Sequence, residues 1–365
     1  MQALHIHAGP KALAHIREHG LRPNHVGVIP AAAGGPKGLI LGRLDRFIFG
    51  EWLAQSQQSV DLVGASIGAW RMATACLNEP VAAFERLERD YIHQHYEPLP
   101  GQSRVTAEQI SEAFGQSLHA FYGGRLGEIL NHPRFRLHMV TSHGRHILRR
   151  EHPLATPLGY AGAYLSNVWS RRALGAWLER VVFSAQCASL PFDAQDFRTL
   201  AVGLTEDNFM AALQASCAIP FALKAVHDIP GAPVGAYWDG GITDYHLHLN
   251  WAMPDQAAGA HPDRAVVLYP HFQKNVVPGW LDKALKWRHG ATSFLDCTIV
   301  LAPNPEWVKT LPNGKLPDRQ DFLRYDRDFA GRVRVWTQAT SASQQLADEL
   351  EVWLQHADPS MVQPL

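Results

Sequence analysis

The strongest constraint on the fold of this chain is a short segment, residues 59–76, which reads SVDLVGASIGAWRMATAC. Its first part is apolar and β-branched, which is typical of a buried strand, and its last part has the alanine-rich composition of a helix. Between them lie Gly64, Ser66 and Gly68 in the spacing G-x-S-x-G. A sharp turn from strand to helix leaves little room for side chains beside its central residue. The segment therefore predicts a nucleophile elbow with Ser66 at its tip.

A second glycine-rich segment precedes the elbow. Residues 25–30 are a strand candidate, residues 31–38 read AAAGGPKG, and residues 39–52 have a helical pattern. A loop of small residues before a helix leaves backbone N–H groups free, and such groups can bind a phosphate or a developing oxyanion. Close packing of the strand against the helix would explain the same composition. Lys37 is not a Walker lysine, because the G-x-x-x-x-G-K-[ST] spacing is absent.

The rest of the chain alternates between strand and helix candidates. The strands are expected at residues 134–142, 265–269 and 298–302, and helices at 209–219 and 341–356. A long polar helical stretch at residues 79–130, broken by PLPG at 98–101, is expected to be an excursion from the sheet. This alternation is typical of the α/β class.

Residues 167–183 carry apolar side chains at helical spacing, with Arg171, Arg172 and Arg180 elsewhere on the helix. The pattern predicts an amphipathic helix. A basic helix that contains tryptophan can lie on a lipid interface, which would give the protein a peripheral contact with membranes. Packing on the protein's own core is the more common arrangement of such helices.

Composition excludes several other classes of protein. The 33 Lys and Arg residues nearly balance the 34 Asp and Glu residues, so no overall positive field would attract nucleic acid. No apolar run has the length of a membrane-spanning helix, and the first residues lack the pattern of a secretory signal. The four cysteines form no C-x-x-C pair, which favours reduced thiols over disulfides or a zinc ribbon. We therefore expect a cytoplasmic protein that needs no metal.

Two later segments complete the set of motifs. Residues 215–220 read ASCAIP at the end of a small-residue helix, which the proline ends. Asp239 is followed by Gly240 and Gly241. An Asp-Gly pair between apolar runs is, by itself, typical of a hairpin turn.

Taken in order, the glycine-rich loop, the G-x-S-x-G elbow, the A-S-x-A-I-P segment and the D-G-G turn resemble the motifs of the patatin-like phospholipase family. The resemblance covers residues 25–250, and residues 250–365 would complete a single domain over 1–365. It implies a three-layer α/β/α fold with a mostly parallel central sheet. It also implies a lipid acyl hydrolase without a cofactor, in which Ser66 is the nucleophile and Asp239 is its base.

The same resemblance implies that the backbone amides of Gly34 and Gly35 form the oxyanion hole, with Lys37 in place of the family's basic loop residue. The supporting glycines would be Gly38, Gly64, Gly68, Gly240 and Gly241. The family loop usually begins D-G-G-G, whereas this chain has Ala32 and Ala33 before the two glycines. Because both proposed donors are retained, we expect the alanines to affect the approach of the acyl chain, and thus specificity, more than the chemistry.

The residues themselves support this chemistry. A serine hydroxyl is a weak nucleophile and needs a base within hydrogen-bond reach. Since a carboxylate in a dry pocket has a raised pKa, Asp239 could accept the proton of Ser66 without a histidine. Ser66 would attack an ester carbonyl, Asp239 would return the proton to the leaving alcohol, and water activated by the same aspartate would release the acid.

The sequence is also consistent with other functions. A Ser–His–Asp triad could use His246, His248 or His271, which follow the acid as in α/β-hydrolases, although an H-G-G-G-type loop is absent. An acyltransferase would use the same serine with a different acceptor. A lipid- or partner-binding protein on this scaffold would show no covalent chemistry at Ser66. A metal site at Asp244, His246 and His248 lacks any recognised ligand spacing.

Overall fold

The computed structural model describes residues 1–102, 104–252 and 263–365. The strands in these ranges are β1 Leu4–Ala8, β2 Val26–Ala31, β3 Val60–Ala65, β4 Phe135–Gly144, β5 Leu178–Ser184, β6 Phe192–Asp193, β7 Thr199–Gly203, β8 Val226–His227, β9 Ala236–Asp239, β10 Asn250–Trp251, β11 Val266–Pro270, β12 Thr298–Pro303 and β13 Val362–Pro364. The helices are α1 Pro10–His19, α2 Gly42–Phe47, α3 Ile67–Ala75, α4 Pro80–Ile92, α5 Ala107–Tyr122, α6 Leu126–Leu130, α7 Ala155–Trp169, α8 Arg171–Leu174, α9 Glu206–Ser216, α10 Pro305–Val308, α11 Gln320–Arg324, α12 Phe329–Ala342 and α13 Gln344–Leu354.

One large sheet runs through the molecule in the order β13-β1-β12-β11-β2-β3-β4-β5-β7, and β9 pairs with both β4 and β8. The five central strands, from β12 to β4, are parallel to one another. Antiparallel pairs occur where β1 meets β12 and where β4 meets β5 and β9. The predicted α/β class, with a mostly parallel central sheet in a three-layer α/β/α fold, is confirmed.

Strands β2 and β3 form the middle of this sheet, and every residue of both is buried. Strands that are covered on both faces read as continuous apolar runs, which is why both could be recognised in the sequence. They are parallel, with Ala31 opposite Gly64 near their carboxyl ends. The glycine-rich loop that follows β2 and the elbow that follows β3 therefore begin at the same edge of the sheet.

The C-terminal part of the chain contributes to the same sheet. Strand β11 pairs with β2, β12 lies between β11 and β1, and β13 pairs with β1. The predicted helical excursion corresponds to α4, α5 and α6, which lie between β3 and β4 in the chain. No helix in the described ranges is both long enough and apolar enough to span a bilayer.

The helix predicted over residues 167–183 is wrong. Helix α7 ends at Trp169, α8 occupies only Arg171–Leu174, and Leu178–Ser184 is strand β5, which pairs with β4. Every residue of β5 is buried. The strand contains two charged residues, Glu179 and Arg180, which are buried in ion pairs. Their spacing imitates the polar side of an amphipathic helix, although neither residue faces solvent.

Candidate active site

The predicted elbow is present at the carboxyl end of β3. Ser66 has φ +57° and ψ −130° and immediately precedes α3. A side chain on Gly64 would lie 2.5 Å from the backbone nitrogen of Ala69, and one on Gly68 would lie 1.9 Å from the carbonyl oxygen of Ala31. Because these contacts are with backbone atoms, only glycine fits either position. The strained conformation of Ser66 holds its hydroxyl at the tip of the turn.

Ser66 and Asp239 are in direct contact. The Ser66 hydroxyl donates to Oδ2 of Asp239 at 2.6 Å, and the other carboxylate oxygen accepts from the Gly241 N–H at 2.7 Å. Both side chains are buried. Asp239 is the last residue of β9, and a Cβ on Gly240 would lie 2.1 Å from the carbonyl oxygen of Val140. The D-G-G sequence therefore ends a strand and turns tightly against β4, instead of forming a simple hairpin.

Burial raises the pKa of Asp239 above its ordinary value. The hydrogen bonds from Ser66 and Gly241 and the positive charges of Arg319 and Lys283 oppose this rise. A carboxylate with a raised pKa is a stronger base, so the dry surroundings make Asp239 better suited to accept a proton from a serine hydroxyl.

Ser216 supports the elbow from the A-S-C-A-I-P segment. Its hydroxyl accepts from the Ser66 N–H at 2.9 Å and donates to the Val140 carbonyl at 2.7 Å. The carbonyl of Ala218, in the same segment, accepts from the Asp239 N–H at 2.9 Å. The segment thus fixes the backbone of both members of the pair. The sequence singled out this segment, but not the role of Ser216 as the bridge.

The loop after β2 lies beside the elbow. A 3-10 turn begins at Gly35, so the first N–H groups of that turn have no partner within it. Gly35 has φ +56°, which favours glycine, and it lines the same cavity as Ser66. A Cβ on Gly38 would lie 3.1 Å from the Ile67 side chain, so the loop packs closely on α3. Ile67 begins α3, and its N–H, which sequence reasoning missed, is another donor without an intrahelical partner beside Ser66.

The residues that depart from the family pattern have defined contacts. The Ala33 N–H donates to the Tyr245 carbonyl at 2.9 Å, and its Cβ lies 2.5 Å from where a Cβ on Gly241 would be. Ala33 and Gly241 therefore pack directly on one another. A Cβ on Gly34 would lie 2.5 Å from the Phe272 ring. The loop is consequently held between the D-G-G turn and an aromatic ring.

Two cavities meet at the Ser66–Asp239 pair. The larger, of about 970 Å³, is lined by Ser66 and Gly35 and by many apolar and aromatic side chains, including Trp70, Phe114 and Phe322. The smaller, of about 210 Å³, is lined by Gly34, Asp239 and Gly241 together with the positively charged side chains of Lys37, Lys283 and Arg319. Arg319 lines both cavities.

The basic side chains of the smaller cavity come from separate parts of the chain. Lys37 follows the glycine-rich loop, with its Nζ 5.3 Å from the centre of the Phe272 ring, and burial lowers its pKa. Lys283 and Arg319 are both exposed to solvent. Partial burial of the Lys283 ammonium group and the charges of Arg319 and Lys37 nevertheless lower the pKa of Lys283 to about 7. Neither Lys283 nor Arg319 was predicted, because neither belongs to a local motif.

The histidines considered for a triad lie elsewhere. Nδ1 of His246 interacts with the backbone of Asn275 and Val277, Nε2 of His248 bonds to Thr292, and Nδ1 of His271 bonds to the Gln273 carbonyl. Across the described ranges, none of the three bonds to Ser66 or Asp239. Burial also lowers the pKa of His246 and His271, so both rings are neutral at physiological pH. The geometry brings serine and aspartate together without a histidine.

Asp244, the acidic member of the suggested metal site, pairs instead with two arginines. Its carboxylate lies 2.7 Å from the Arg180 guanidinium and 3.1 Å from that of Arg171. Among the residues that the structure describes, no group of three or more His, Cys, Asp or Glu side chains is arranged to hold a metal ion. Asp244 is therefore part of a buried ion-pair network that joins β5 to the turn after β9.

Comparison with known proteins adds no relative. The chain matches no protein-family model, and no curated protein matches it significantly. The likeness to patatin-like proteins therefore depends on the four motifs.

Proposed function

We propose that this protein is a serine ester hydrolase that acts on lipid substrates through an acyl-enzyme intermediate. The observation that carries the proposal is the 2.6 Å hydrogen bond from the Ser66 hydroxyl to the buried carboxylate of Asp239, at the tip of a strand-to-helix elbow. A nucleophile in contact with its base, on a strained turn, is the arrangement that acyl transfer needs.

The reaction has two steps. Asp239 accepts the proton as Ser66 attacks the ester carbonyl, and it then donates that proton to the oxygen of the leaving alcohol as the ester bond breaks. In the second step a water molecule gives its proton to Asp239 and attacks the acyl-enzyme, and the proton returns to Ser66 as the acid leaves. Every proton is thus accounted for by one carboxylate.

Backbone N–H groups would stabilise the negative charge on the tetrahedral intermediate. The candidates are those of Gly34 and Gly35, with Ile67 as an additional donor. Loss of one such donor typically raises the barrier by about 3 kcal/mol. Replacing Gly35, which has a positive φ, by alanine would displace the loop and raise the barrier by a comparable amount.

The size and lining of the larger cavity suit an apolar acyl chain. Its volume of about 970 Å³ lies at the upper end of the range of ligand pockets, and its lining is mainly apolar and aromatic. Ser66 lies on its wall, so a chain bound there would present its carbonyl to the nucleophile.

Intact-mass analysis after treatment with a fluorophosphonate tests the proposal. We expect one adduct on the native chain, none on Ser66→Ala, and much slower labelling of Asp239→Asn. Ser117→Ala, which removes an exposed serine, is the matched control and should label normally. A folded native chain that stays unlabelled would contradict the enzyme proposal and favour a binding protein. Release of free acid, compared with transfer to an added alcohol, then separates a hydrolase from an acyltransferase.

We also propose that α7 contacts a membrane surface. Leu158, Leu165 and Trp169 lie on one side of this helix and are 68%, 69% and 89% exposed, and α7 contains no charged residue. Exposed arginines lie just before and just after the helix, at positions 149 and 172. An outward apolar stripe with cations at its ends, and a tryptophan at one of them, matches the interface of a bilayer that contains anionic lipids.

The buried side of α7 packs near the active site. The exposed ring of Phe221 lies 5.9 Å from that of the buried Tyr160 on α7, and Ile219, two residues earlier, lines both cavities.

Flotation with vesicles of phosphatidylcholine and phosphatidylglycerol tests the contact. We expect the combined change Leu158→Ser, Leu165→Ser and Trp169→Ser to lower vesicle binding by about tenfold or more, because each exposed side chain loses its burial in lipid. Val352→Ser, a similarly exposed position on α13, should bind like the native chain. Unchanged flotation would contradict the proposal, and a native dimer that the triple change dissociates would assign the stripe to a second copy.

A further inference from the structure

The positive charges around the smaller cavity are not used in holding the fold together. Within the described residues, the side chains of Lys37, Lys283 and Arg319 form no ion pair and no hydrogen bond. Lys37 lies against Phe272, and Lys283 lies 4.0 Å from the centre of the Tyr245 ring. These ring contacts hold the ammonium groups in place without neutralising them.

The nearby carboxylates of Asp318 and Asp239 offset this charge only in part. Asp318 lines the cavity, but its carboxylate is 2.7 Å from Lys315 and also accepts from the backbone N–H of Gln320. Asp239 is bound by Ser66 and Gly241. Burial lowers the pKa of both lysines, and the charge of Arg319 lowers both further. Because the pKa of Lys283 is about 7, this lysine is only partly protonated at neutral pH, and an anion in the cavity would favour its charged form. A cavity with this balance of charge favours an anion.

The position of the cavity identifies which part of a substrate would enter it. Asp239 lines the smaller cavity, and Ser66 lines the larger one. Since Asp239 must protonate the leaving alcohol, that alcohol has to lie on its side of the pair. The volume of about 210 Å³ is below the usual range for a drug-sized ligand, so it suits a compact polar group better than a long chain.

Arg319 links this cavity to the loop that would hold the oxyanion. Its Nε lies 3.1 Å from the position that a Cβ on Gly35 would occupy. The planar guanidinium can bind a carboxylate or phosphate through two parallel hydrogen bonds, and the two lysines can add point charges.

We propose that the smaller cavity is an anion-binding subsite that takes a phosphate or carboxylate group carried by the alcohol part of the ester. This proposal rests on the proposed hydrolase function for its link to the substrate. Binding of the anion itself does not depend on turnover. The subsite makes the protein selective for esters whose leaving alcohol is negatively charged over neutral esters with the same acyl chain.

The first arm of the test measures binding without catalysis. Isothermal titration of the full chain with inorganic phosphate should show saturable binding, and Lys283→Gln and Arg319→Gln should each weaken it by about tenfold, the usual effect of losing one charged hydrogen bond. Lys286→Gln and Arg327→Gln, which remove exposed cations outside both cavities, are the matched controls and should bind phosphate as the native chain does.

The second arm measures selectivity during turnover. Two esters with the same acyl chain are compared, one with a phosphate on the alcohol and one with a neutral alcohol of similar size. We expect the ratio of their kcat/KM values to favour the charged ester and to fall by about tenfold in Lys283→Gln and Arg319→Gln. Lys286→Gln and Arg327→Gln should leave the ratio unchanged.

The two arms separate the subsite from the enzyme proposal. Phosphate binding that depends on Lys283 and Arg319, in a chain that cleaves neither ester, supports the anion site and contradicts the hydrolase. Turnover of both esters at equal rates, with no phosphate binding, overturns the subsite and leaves the hydrolase intact. Phosphate binding without preference for the charged ester overturns the substrate assignment and identifies free phosphate as the ligand. An equal loss on both esters in Arg319→Gln overturns the role of Arg319 in the subsite and assigns it to the oxyanion.

Discussion

The two cavities that meet at Ser66 and Asp239 differ in size and in the polarity of their walls. The larger has about 970 Å³ and mainly apolar and aromatic walls from α3, α5 and the segments around α11 and α12, with three arginines among many apolar side chains. The smaller has about 210 Å³ and three cations among far fewer lining residues. Each of the two reacting side chains lines a different cavity. In the proposed mechanism, the pair would therefore lie between an apolar compartment for the acyl chain and a charged compartment for the leaving group.

The largest effect is expected at Asp239, the proposed base for every ester. Asp239→Asn should lower kcat by about 10²- to 10⁴-fold for charged and neutral esters alike, because the base serves both. Steady-state kinetics on the two esters check this, with circular dichroism as the control for folding. A loss confined to one ester would show that the carboxylate binds substrate instead of acting as the base.

A bulky side chain in the larger cavity should lower activity on long acyl chains more than on short ones. Ile110 lines it, and Ile110→Trp should lower kcat/KM for a decanoyl ester by about 10- to 100-fold, since several methylene groups lose their place. The acetyl ester should change by about twofold or less. Val352→Trp, at an exposed position on α13, is the control. Equal losses on the two acyl lengths would contradict the assignment of this cavity to the chain.

The pH dependence of kcat/KM tests whether the charged compartment acts on the base. Asp239 must be ionised to accept a proton, so activity falls as the pH drops through its pKa, which lies above the ordinary value. Arg319 lowers that pKa. Its removal in Arg319→Gln should raise the pKa further and move the acid limb to higher pH, whereas Arg327→Gln should leave it in place. An acid limb at the same pH in Arg319→Gln would show that Arg319 does not influence the pKa of Asp239.

The smallest effect concerns stability. The pKa of Asp239 is raised in the folded protein, so its contribution to stability is complete below the unfolded pKa and is lost as the pH rises through the folded pKa. An asparagine at position 239 cannot ionise, so the variant does not lose this stability at high pH. The melting temperature of Asp239→Asn at pH 7 should therefore exceed that of the native chain by about 1–3 °C, the shift that about 1 kcal/mol produces. The difference in melting temperature should vanish when the pH is near the ordinary pKa of aspartate.

The sequence could predict the features that depend on short-range contacts. The glycines of the elbow are required by contacts within a few residues or with the neighbouring strand, so they leave a fixed spacing around Ser66. The central strands could be recognised because they are uninterrupted apolar runs bounded by turns. The contact between Ser66 and Asp239 had no local signal of its own, and it was inferred from the order of the motifs.

What the sequence could not predict was decided by tertiary structure. Lys283 and Arg319 reach the site from distant stretches, and a lone lysine or arginine has no pattern. Helical spacing does not say which side of a helix faces the protein, so the outward stripe of α7 was not foreseen. The pattern of β5 predicts a helix because Glu179 and Arg180 look like an exposed polar side, whereas both are buried in ion pairs with residues distant in the sequence.

The separation of the two reacting residues along the chain has a consequence for synthesis. Ser66 lies 173 residues before Asp239, and its backbone is held by Ser216, which is 150 residues later. Because a protein is made from its N-terminus, β2, β3 and α3 emerge long before the strand that carries the carboxylate. A nascent chain that ends before β9 therefore holds a serine without its base. Hydrolytic competence of the proposed kind would therefore appear only once translation has passed the D-G-G turn.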